Sequence, residues 1–297
     1  MSVTVRVPAK VNVQLAVGAA RPDGFHDLAS VFLAVGLYDE VTVTPADRLR
    51  ITCSGPDAAQ VPLDASNLAA RAASALAARH GIAPGVHLHI DKDIPVAGGM
   101  AGGSADGAAA LLACDALWGT GTSRDELLAL CAELGSDVPF SLVGGAALGT
   151  GRGERLTPVE VGGTFHWVFA VADGGLSTPA VYREFDRLTE GTRVPEPVAS
   201  DALLDALRTG DAKALAASIG NDLQAAALSL RPSLAATLAA GTEAGALAAL
   251  VSGSGPTTAF LTEDAATADR VAAALTASGT CRTARTATSP ARGATVV

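Results

Sequence analysis

Apolar and polar positions alternate along the first part of the chain. Residues 3–7 alternate valine with threonine and arginine, and residues 11–15 alternate again after a break at Pro8. A period of two is typical of β-strands that bury one face. The same pattern predicts further strands at 29–37, 40–44, 49–53 and 86–90.

Other segments have the spacing and end signals of helices. Residues 66–80 carry Ser66 or Asn67 as the N-cap and stop before Gly81, which favours a left-handed C-terminal cap. By similar criteria we predict helices at about 104–118, 123–134, 200–208, 211–219, 232–244 and 265–277.

The second half of the chain has a different pattern of predicted elements. Residues 164–172 predict a buried strand, and 246–251, 257–262 and the C-terminal segment predict three more. Residues 186–200 are rich in proline and charge, which predicts a linker or exposed loop. The order of elements indicates an α+β protein with two domains, at 1–155 and 156–297.

Composition and charge narrow the class of partner. Hydrophobic residues make up 49% of the 297 positions, enough for a substantial core, and the net charge of −9 argues against nucleic acid. The four cysteines form no CxxC pair, which favours a reducing cytoplasmic setting without a cysteine metal site. Residues 244–262 are uncharged but contain SGSGP, so we expect a buried turn there and no membrane span.

The segment 94–106, IPVAGGMAGGSAD, joins a predicted strand to a predicted helix. Its four glycines at 98, 99, 102 and 103 permit a concave row of backbone N–H groups, and a helix N-terminus attracts anions. The lysine of a Walker A loop is absent, since Gly103 is followed by Ser104 and Ala105. The pattern predicts a phosphate-binding loop, with a tight packing turn as the alternative.

Three further stretches carry polar groups suited to catalysis. In VPAKVNVQ, Lys10 and Asn12 share one strand face, which is either solvated or functional, and only three lysines stand against eighteen arginines. In LGSDVPF, Asp137 can cap the next helix or act as a general base. VSGSGPT, at 251–257, is a second glycine loop. Together these parts suit phosphoryl transfer.

These motifs resemble the GHMP kinase superfamily. IPVAGGMAGGSAD is similar to its P-x-x-x-G-[LM]-[GA]-G-[GS]-S-[SA] motif. PAKVNVQL, RPDGFHDL, LGSDVPF, NDLQ and SGSGPT occur in the same order as in one branch, the kinases of a cytidine-diphosphate-linked sugar alcohol. The resemblance implies a two-domain α+β fold with the active site in the cleft between the domains.

The resemblance also implies an activity. It is the ATP-dependent phosphorylation of the 2-hydroxyl of 4-diphosphocytidyl-2-C-methyl-D-erythritol, in the non-mevalonate route to isoprenoid precursors. The family's catalytic pair falls on Lys10 and Asp137: the carboxylate would take the hydroxyl proton, and the ammonium would keep it ionised. ATP and Mg²⁺ are the implied cofactors, with Ser104 as a possible metal ligand.

The remaining site residues carry over from the same motifs. Asn12, Phe25, His26 and Thr178 are implied for the substrate, with the Phe25 ring stacking on cytosine. The ATP phosphates are implied to contact Pro95, Val96, Ala97, Gly98, Gly99, Met100, Ala101, Gly102, Gly103, Ser104 and Ala105.

Some positions depart from the family pattern. Phe25 stands where tyrosine is common, Gln224 where glutamate is usual, and Ala101 where glycine also occurs. Glu126 is a candidate metal ligand by helical placement alone. The same scaffold could phosphorylate homoserine or a mevalonate derivative, or serve as a non-catalytic ligand sensor. A monomer and a weak homodimer are both compatible with the sequence.

Overall fold

The computed structural model describes residues 2–297, and β-strands form its framework. The two longest strands are β1 (Val3–Ala20) and β2 (His26–Pro45), which pair antiparallel along their length. The other strands are β3 (Arg50–Ser54), β4 (Val86–Asp91), β5 (Ala146–Thr150), β6 (Arg155–Pro158), β7 (Phe165–Val171), β8 (Gly220–Asn221), β9 (Ala248–Val251), β10 (Thr258–Thr262), β11 (Thr283–Ser289) and β12 (Thr295–Val296).

Helices cover the sheets, and local caps set several of their ends. The side chain of Asn67 accepts a hydrogen bond from the Ala69 N–H at the start of the first helix, which ends at left-handed Gly81. The helices are α1 (Leu68–His80), α2 (Gly102–Trp118), α3 (Arg124–Leu134), α4 (Val138–Val143), α5 (Thr178–Thr189), α6 (Asp201–Thr209), α7 (Ala212–Ala216), α8 (Gln224–Leu230), α9 (Leu234–Glu243) and α10 (Ala265–Ser278).

The strands form a larger and a smaller sheet. The larger has the order β12-β1-β2-β4-β3, with β5 on β2, β6 on β5 and β8 on β1; the smaller has the order β11-β7-β10-β9. Because β8 and β12 both pair with β1, the two halves of the chain share the larger sheet. One buried cluster likewise extends from Val11 and Val31 to Trp167 and Leu261, so the boundary at 155 stays a prediction.

Several segments differ from the predicted pattern. The break at Pro8 is wrong, because β1 continues through it with a shift of register between Pro8 and Ala9. Proline cannot donate to the ladder, and a bulge at that point allows the strand to continue. The predicted strands at 29–37 and 40–44 are one strand, β2. The predicted linker also starts too early, since α5 continues to Thr189 and only 190–200 lack a helix or strand.

The uncharged run at 244–262 folds as expected. It forms β9, the SGSGP turn and β10, all in the smaller sheet. Among residues 2–297, no helix has both the length and the apolar character needed to cross a bilayer.

Candidate active site

A cleft of about 690 Å³ opens where β1, the glycine loop and α5 meet. Most of the predicted site residues line it, whereas Pro95, Val96, Met100 and Ala105 do not. Residues from both halves of the chain contribute to its walls. From the predicted set, the cleft brings together Lys10, Asn12, Phe25, His26, Ala97, Gly98, Gly99, Ala101, Gly102, Gly103, Ser104, Asp137 and Thr178.

The glycine loop ends in a helix start whose first amides are free. The first backbone hydrogen bond of α2 runs from the Ala105 N–H to the Ala101 carbonyl oxygen, at 2.8 Å. The N–H groups of Gly102, Gly103 and Ser104 therefore have no intrahelical acceptor. A Cβ added to Gly103 would meet no atom nearer than 3.9 Å, so this side is open to a ligand. The loop has the geometry of an anion site at a helix N-terminus.

Lys10 connects this loop to the predicted base. Its buried Nζ donates hydrogen bonds to Asn12 Oδ1 and to the Gly99 carbonyl oxygen (3.1 Å), and lies 3.7 Å from Asp137 Oδ2. Burial lowers the pKa of Lys10, and the Asp137 carboxylate partly opposes that shift. Asn12 is itself held by a 2.7 Å hydrogen bond from Nδ2 to Ser30 Oγ. A desolvated ammonium thus faces the carboxylate in a fixed position.

The Asp137 carboxylate lies open to the cleft. Asp137 occupies the N-cap position of α4, but its side chain accepts no capping hydrogen bond from that helix. The capping interpretation is therefore wrong. Its side chain is 34% exposed and lines the cleft, so a substrate hydroxyl can reach it.

The second glycine loop packs directly against the first. Ser252 Oγ donates to the Gly99 carbonyl oxygen (3.0 Å), and the Thr257 N–H donates to that of Gly98 (3.2 Å). A Cβ on Gly99, whose φ is +77°, would lie 2.1 Å from the Ser252 carbonyl oxygen. The loop is held by Gln224, whose Oε1 accepts from the Val251 N–H at 2.9 Å. Glutamate can accept the same bond, which explains why the departure at 224 leaves the site intact.

One wall of the cleft is built on α5. His26 is buried, with its Nε2 2.8 Å from Asp186 Oδ1 and its ring centroid 5.0 Å from that of Tyr182. Thr178 Oγ1 lies 2.9 Å from Ser254 Oγ and so connects α5 to the second glycine loop. Sequence reasoning missed Tyr182 and Asp186. They follow Thr178 at intervals of four along one helix face, and this spacing could have identified them.

A buried ion cluster lies beneath the start of α2. Lys92 Nζ bonds to carboxylate oxygens of both Asp39 and Asp106, and the other Asp39 oxygen accepts the Asp93 and Ile94 N–H groups at 2.7 and 2.8 Å. Burial raises the pKa of Asp106 to about 7. The cluster holds residues 93 and 94, which lead into the glycine loop, and it does not line the cleft.

The residues present offer a magnesium ion few protein ligands. Within the described residues 2–297, no three His, Cys, Asp or Glu side chains form a metal-binding group. Glu126 is wrong as a candidate, because it pairs with Arg79 at 2.6 Å and caps α3 through Ser123. Ser104 lies in the first turn of α2 on the cleft wall. Mg²⁺ bound to phosphates commonly needs only one or two protein ligands, so the Ser104 hydroxyl fits that role.

Known proteins share both the sequence and the fold. The family described as GHMP kinases N terminal domain matches residues 67–145, and GHMP kinases C terminal matches 203–281. The chain is 83% identical to the 4-diphosphocytidyl-2-C-methyl-D-erythritol kinase of Streptomyces avermitilis, with 100% of each chain covered. It is 56% identical to that of Mycobacterium bovis, over 100% of this chain and 93% of the relative.

Solved structures agree with these relatives. A crystal structure of 4-(cytidine 5'-diphospho)-2C-methyl-D-erythritol kinase superposes with a TM-score of 0.79 at 33% identity, covering 97% of this chain and 99% of that one. Homoserine kinase from Cytophaga hutchinsonii superposes at 0.75 with 20% identity, over 100% and 97% of the two chains, which shows a shared fold. The chain belongs to the GHMP kinase family, in the branch of the 4-diphosphocytidyl-2-C-methyl-D-erythritol kinases.

Proposed function

We propose that this kinase transfers the γ-phosphoryl group of ATP to the 2-hydroxyl of 4-diphosphocytidyl-2-C-methyl-D-erythritol. The observation that carries the proposal is the position of Lys10, whose ammonium contacts both the Gly99 carbonyl of the donor loop and the Asp137 carboxylate. One buried cation thus connects the predicted donor and acceptor sides. The names of relatives at up to 83% identity support the choice of acceptor.

Asp137 is the general base of the proposed reaction. Its accessible carboxylate takes the proton of the acceptor hydroxyl as the oxygen attacks phosphorus. Lys10 Nζ, 3.7 Å away, holds the carboxylate in position and orients the acceptor hydroxyl toward it. A positioned base contributes about 10²–10⁴-fold in rate. The low dielectric around Lys10 strengthens its interaction with the developing negative charge.

The start of α2 binds the phosphates of the donor. The free N–H groups of Gly102, Gly103 and Ser104 point their partial positive charge at the cleft, and the helix dipole adds to it. These N–H groups and the helix dipole stabilise the phosphate charge, as the lysine does in a Walker A loop. Mg²⁺, held by the phosphates and the Ser104 hydroxyl, would neutralise further phosphate charge.

The cytosine end of the substrate binds around His26. In the neutral ring, Nε2–H donates to Asp186, which leaves Nδ1 as an acceptor for the exocyclic amine of cytosine. The exposed Phe25 ring provides a stacking face and needs no hydroxyl for that purpose. Asn12 and Thr178 line the cleft between the base and the reacting hydroxyl.

We also propose a cytoplasmic enzyme that needs no macromolecular partner, present as a monomer or weak homodimer. The four cysteines are free thiols, which suits a reducing compartment. Cell fractionation tests the cytoplasmic location. Analytical ultracentrifugation of the purified protein tests the oligomeric state.

The central test is ADP release from the purified protein with Mg²⁺-ATP and each of three acceptors. We expect turnover with 4-diphosphocytidyl-2-C-methyl-D-erythritol and none with homoserine or mevalonate. Turnover with another acceptor would keep the roles of Lys10 and Asp137 but overturn those of Phe25 and His26. ATP binding without turnover of any acceptor would favour a ligand sensor.

A further inference from the structure

A tight turn between β5 and β6 places an arginine on the cleft wall. Gly151 and Gly153 adopt φ values of +70° and +102° on either side of Arg152. The Gly151 carbonyl oxygen accepts the Leu28 N–H at 2.8 Å, which anchors the turn to β2. Arg152 is therefore held by a fixed backbone, and its half-buried side chain lines the cleft.

The guanidinium of Arg152 has an aromatic contact but no acceptor. Its Cζ lies 4.9 Å from the centroid of the Phe25 ring. Across residues 2–297, no oxygen accepts a hydrogen bond from its side chain, and no carboxylate lies within ion-pair distance. The neighbouring Glu154 accepts only the Arg152 backbone N–H and pairs with Arg155 at 3.8 Å. Stacking uses the face of a guanidinium, so its donor edge stays available.

The other positive side chains of the cleft are Lys10 and Arg183. Lys10 is committed to Asn12, Gly99 and Asp137, and Arg183 is exposed on α5. A substrate with a diphosphate brings negative charge that the Lys10–Asp137 pair does not balance. Arg152 is the half-buried cation of the cleft that remains available to bind the diphosphate.

We propose that Arg152 binds the diphosphate that joins cytidine to the acceptor alcohol. This inference rests on the proposed function, because it takes the substrate to be a cytidine diphosphate ester. Phe25 stacks with Arg152 on one face and with the base on the other. The diphosphate, one ribose away from the base, then meets the donor edge of the guanidinium. Arg152 is thus a specificity residue, selecting diphosphate-linked acceptors by bidentate hydrogen bonding.

The test compares cytidine diphosphate with cytidine as ligands, because the two differ only in the diphosphate. Calorimetry on the wild type, Arg152→Ala and Arg155→Ala gives, for each protein, the dissociation constant of cytidine divided by that of cytidine diphosphate. We expect Arg152→Ala to lower that ratio about 10- to 100-fold, the range of a lost charge-assisted hydrogen bond. Any loss of stacking on Phe25 affects both ligands alike and cancels in the ratio. Arg155, 76% exposed and outside the cleft, is the matched control.

Steady-state kinetics separate this inference from the proposed function. The KM for the cytidyl substrate should rise about 10- to 100-fold in Arg152→Ala, while the KM for ATP stays within twofold of the wild type. Absence of wild-type turnover with that substrate would reject the function itself. Wild-type turnover combined with an unchanged KM and an unchanged ligand ratio in Arg152→Ala would reject only the role of Arg152. An equal effect of Arg155→Ala would show that the loss reflects the overall positive charge of this surface, and it would reject the specific role of Arg152.

Discussion

Lys10 is buried at a position where a charged side chain is costly. Four contacts offset the cost: the Asn12 amide oxygen, the Gly99 carbonyl, the Asp137 carboxylate and the face of the Phe32 ring, 5.8 Å from Nζ. A compact ammonium can make all four contacts from one point. This need explains why a lysine stands here in a chain with eighteen arginines and only three lysines.

Removal of the proposed base tests the assignment of Asp137. Asp137→Asn keeps the shape of the side chain but removes its charge, so kcat should fall about 10²–10⁴-fold. ATP affinity, measured by calorimetry, should change less than about threefold, because Asp137 does not belong to the glycine loop. The control is Asp125→Asn, an exposed carboxylate in the first turn of α3, which should retain full activity. Comparable kcat values in the two variants would contradict the proposed base.

The lowered pKa of Lys10 predicts an alkaline limit to activity. The ammonium is charged below its pKa and loses its proton as the pH rises through it, so kcat/KM should decline at a pH below the ordinary lysine value of 10.5. Lys10→Arg should remain charged throughout but lose at least about 10²-fold in kcat, because a planar fork cannot replace the ammonium. Profiles from pH 7 upward test both points, with exposed Lys213→Arg as control.

Survival of the alkaline limb in Lys10→Arg, with the same midpoint as the wild type, would assign the limb to another group. Full activity of Lys10→Arg at neutral pH would show that only the charge matters at this position.

At the scale of elements, the two glycine loops form one packed unit. Gly99 faces the Ser252 carbonyl, whereas Gly103 faces the open cleft. The same substitution should therefore act differently at the two positions. Gly99→Val should destabilise the protein, because its Cβ would overlap backbone atoms and its φ is +77°. Gly103→Val should leave the melting temperature within about 2 °C and weaken ATP binding at least tenfold, because it fills only the ligand's space.

Thermal unfolding and nucleotide titration of both variants test this contrast. Unchanged ATP affinity in a folded Gly103→Val protein would contradict the phosphate role of the α2 N-terminus. Wild-type stability of Gly99→Val would contradict the packing between the two loops.

Elements with strong local signals were predictable from the sequence. Asn67 and Gly81 mark the ends of α1, and the glycine loop stands between β4 and α2 as expected. The pairing of Lys10 with Asp137 came from the family resemblance, because strand and loop patterns alone leave their separation open. The structure then places them 3.7 Å apart.

Elements that depend on tertiary contacts were missed. β8 has only two residues and exists because it pairs with β1 at Gln14 and Leu15. α5 buries only Val181 and Phe185, too few apolar positions to stand out in a charged segment. Pro179 in its first turn is a helix-start signal that went unused, because no helix was predicted at 178–185 and the predicted linker began only at 186. Arg152 was missed because nothing in its local sequence shows that it faces Phe25.

At the scale of the whole molecule, ion pairs join the two halves of the chain. Arg282 binds Asp57 through two hydrogen bonds of 2.6 and 2.9 Å, and Asp57 is only 5% exposed. The Arg282 guanidinium lowers the pKa of Asp57. Arg285 pairs with Asp93 at 2.6 Å on a more exposed surface. Asp57 Oδ2 also accepts the Val96 N–H at 3.4 Å, so the Arg282–Asp57 pair is connected to the start of the glycine loop.

Arg282→Gln should lower the free energy of unfolding by about 1–3 kcal/mol, because it leaves a buried carboxylate without its partner. Arg285→Gln is the matched control and should cost about 0–1 kcal/mol, as exposed pairs do. The folded-state pKa of Asp57 lies below the unfolded value, so this contribution is present above pH 3.8 and is lost as the pH falls through the folded value. Urea unfolding at pH 7 and at acidic pH tests both statements, and equal losses in the two variants would contradict them.

The position of β1 in the larger sheet has a consequence for biosynthesis. β1 leaves the ribosome long before the partners of one of its edges, β8 and β12, are translated. During that interval the edge has unpaired backbone groups, which favour association with other nascent chains. Substitutions along this edge should therefore affect the yield of protein that escapes aggregation more than they affect the finished enzyme.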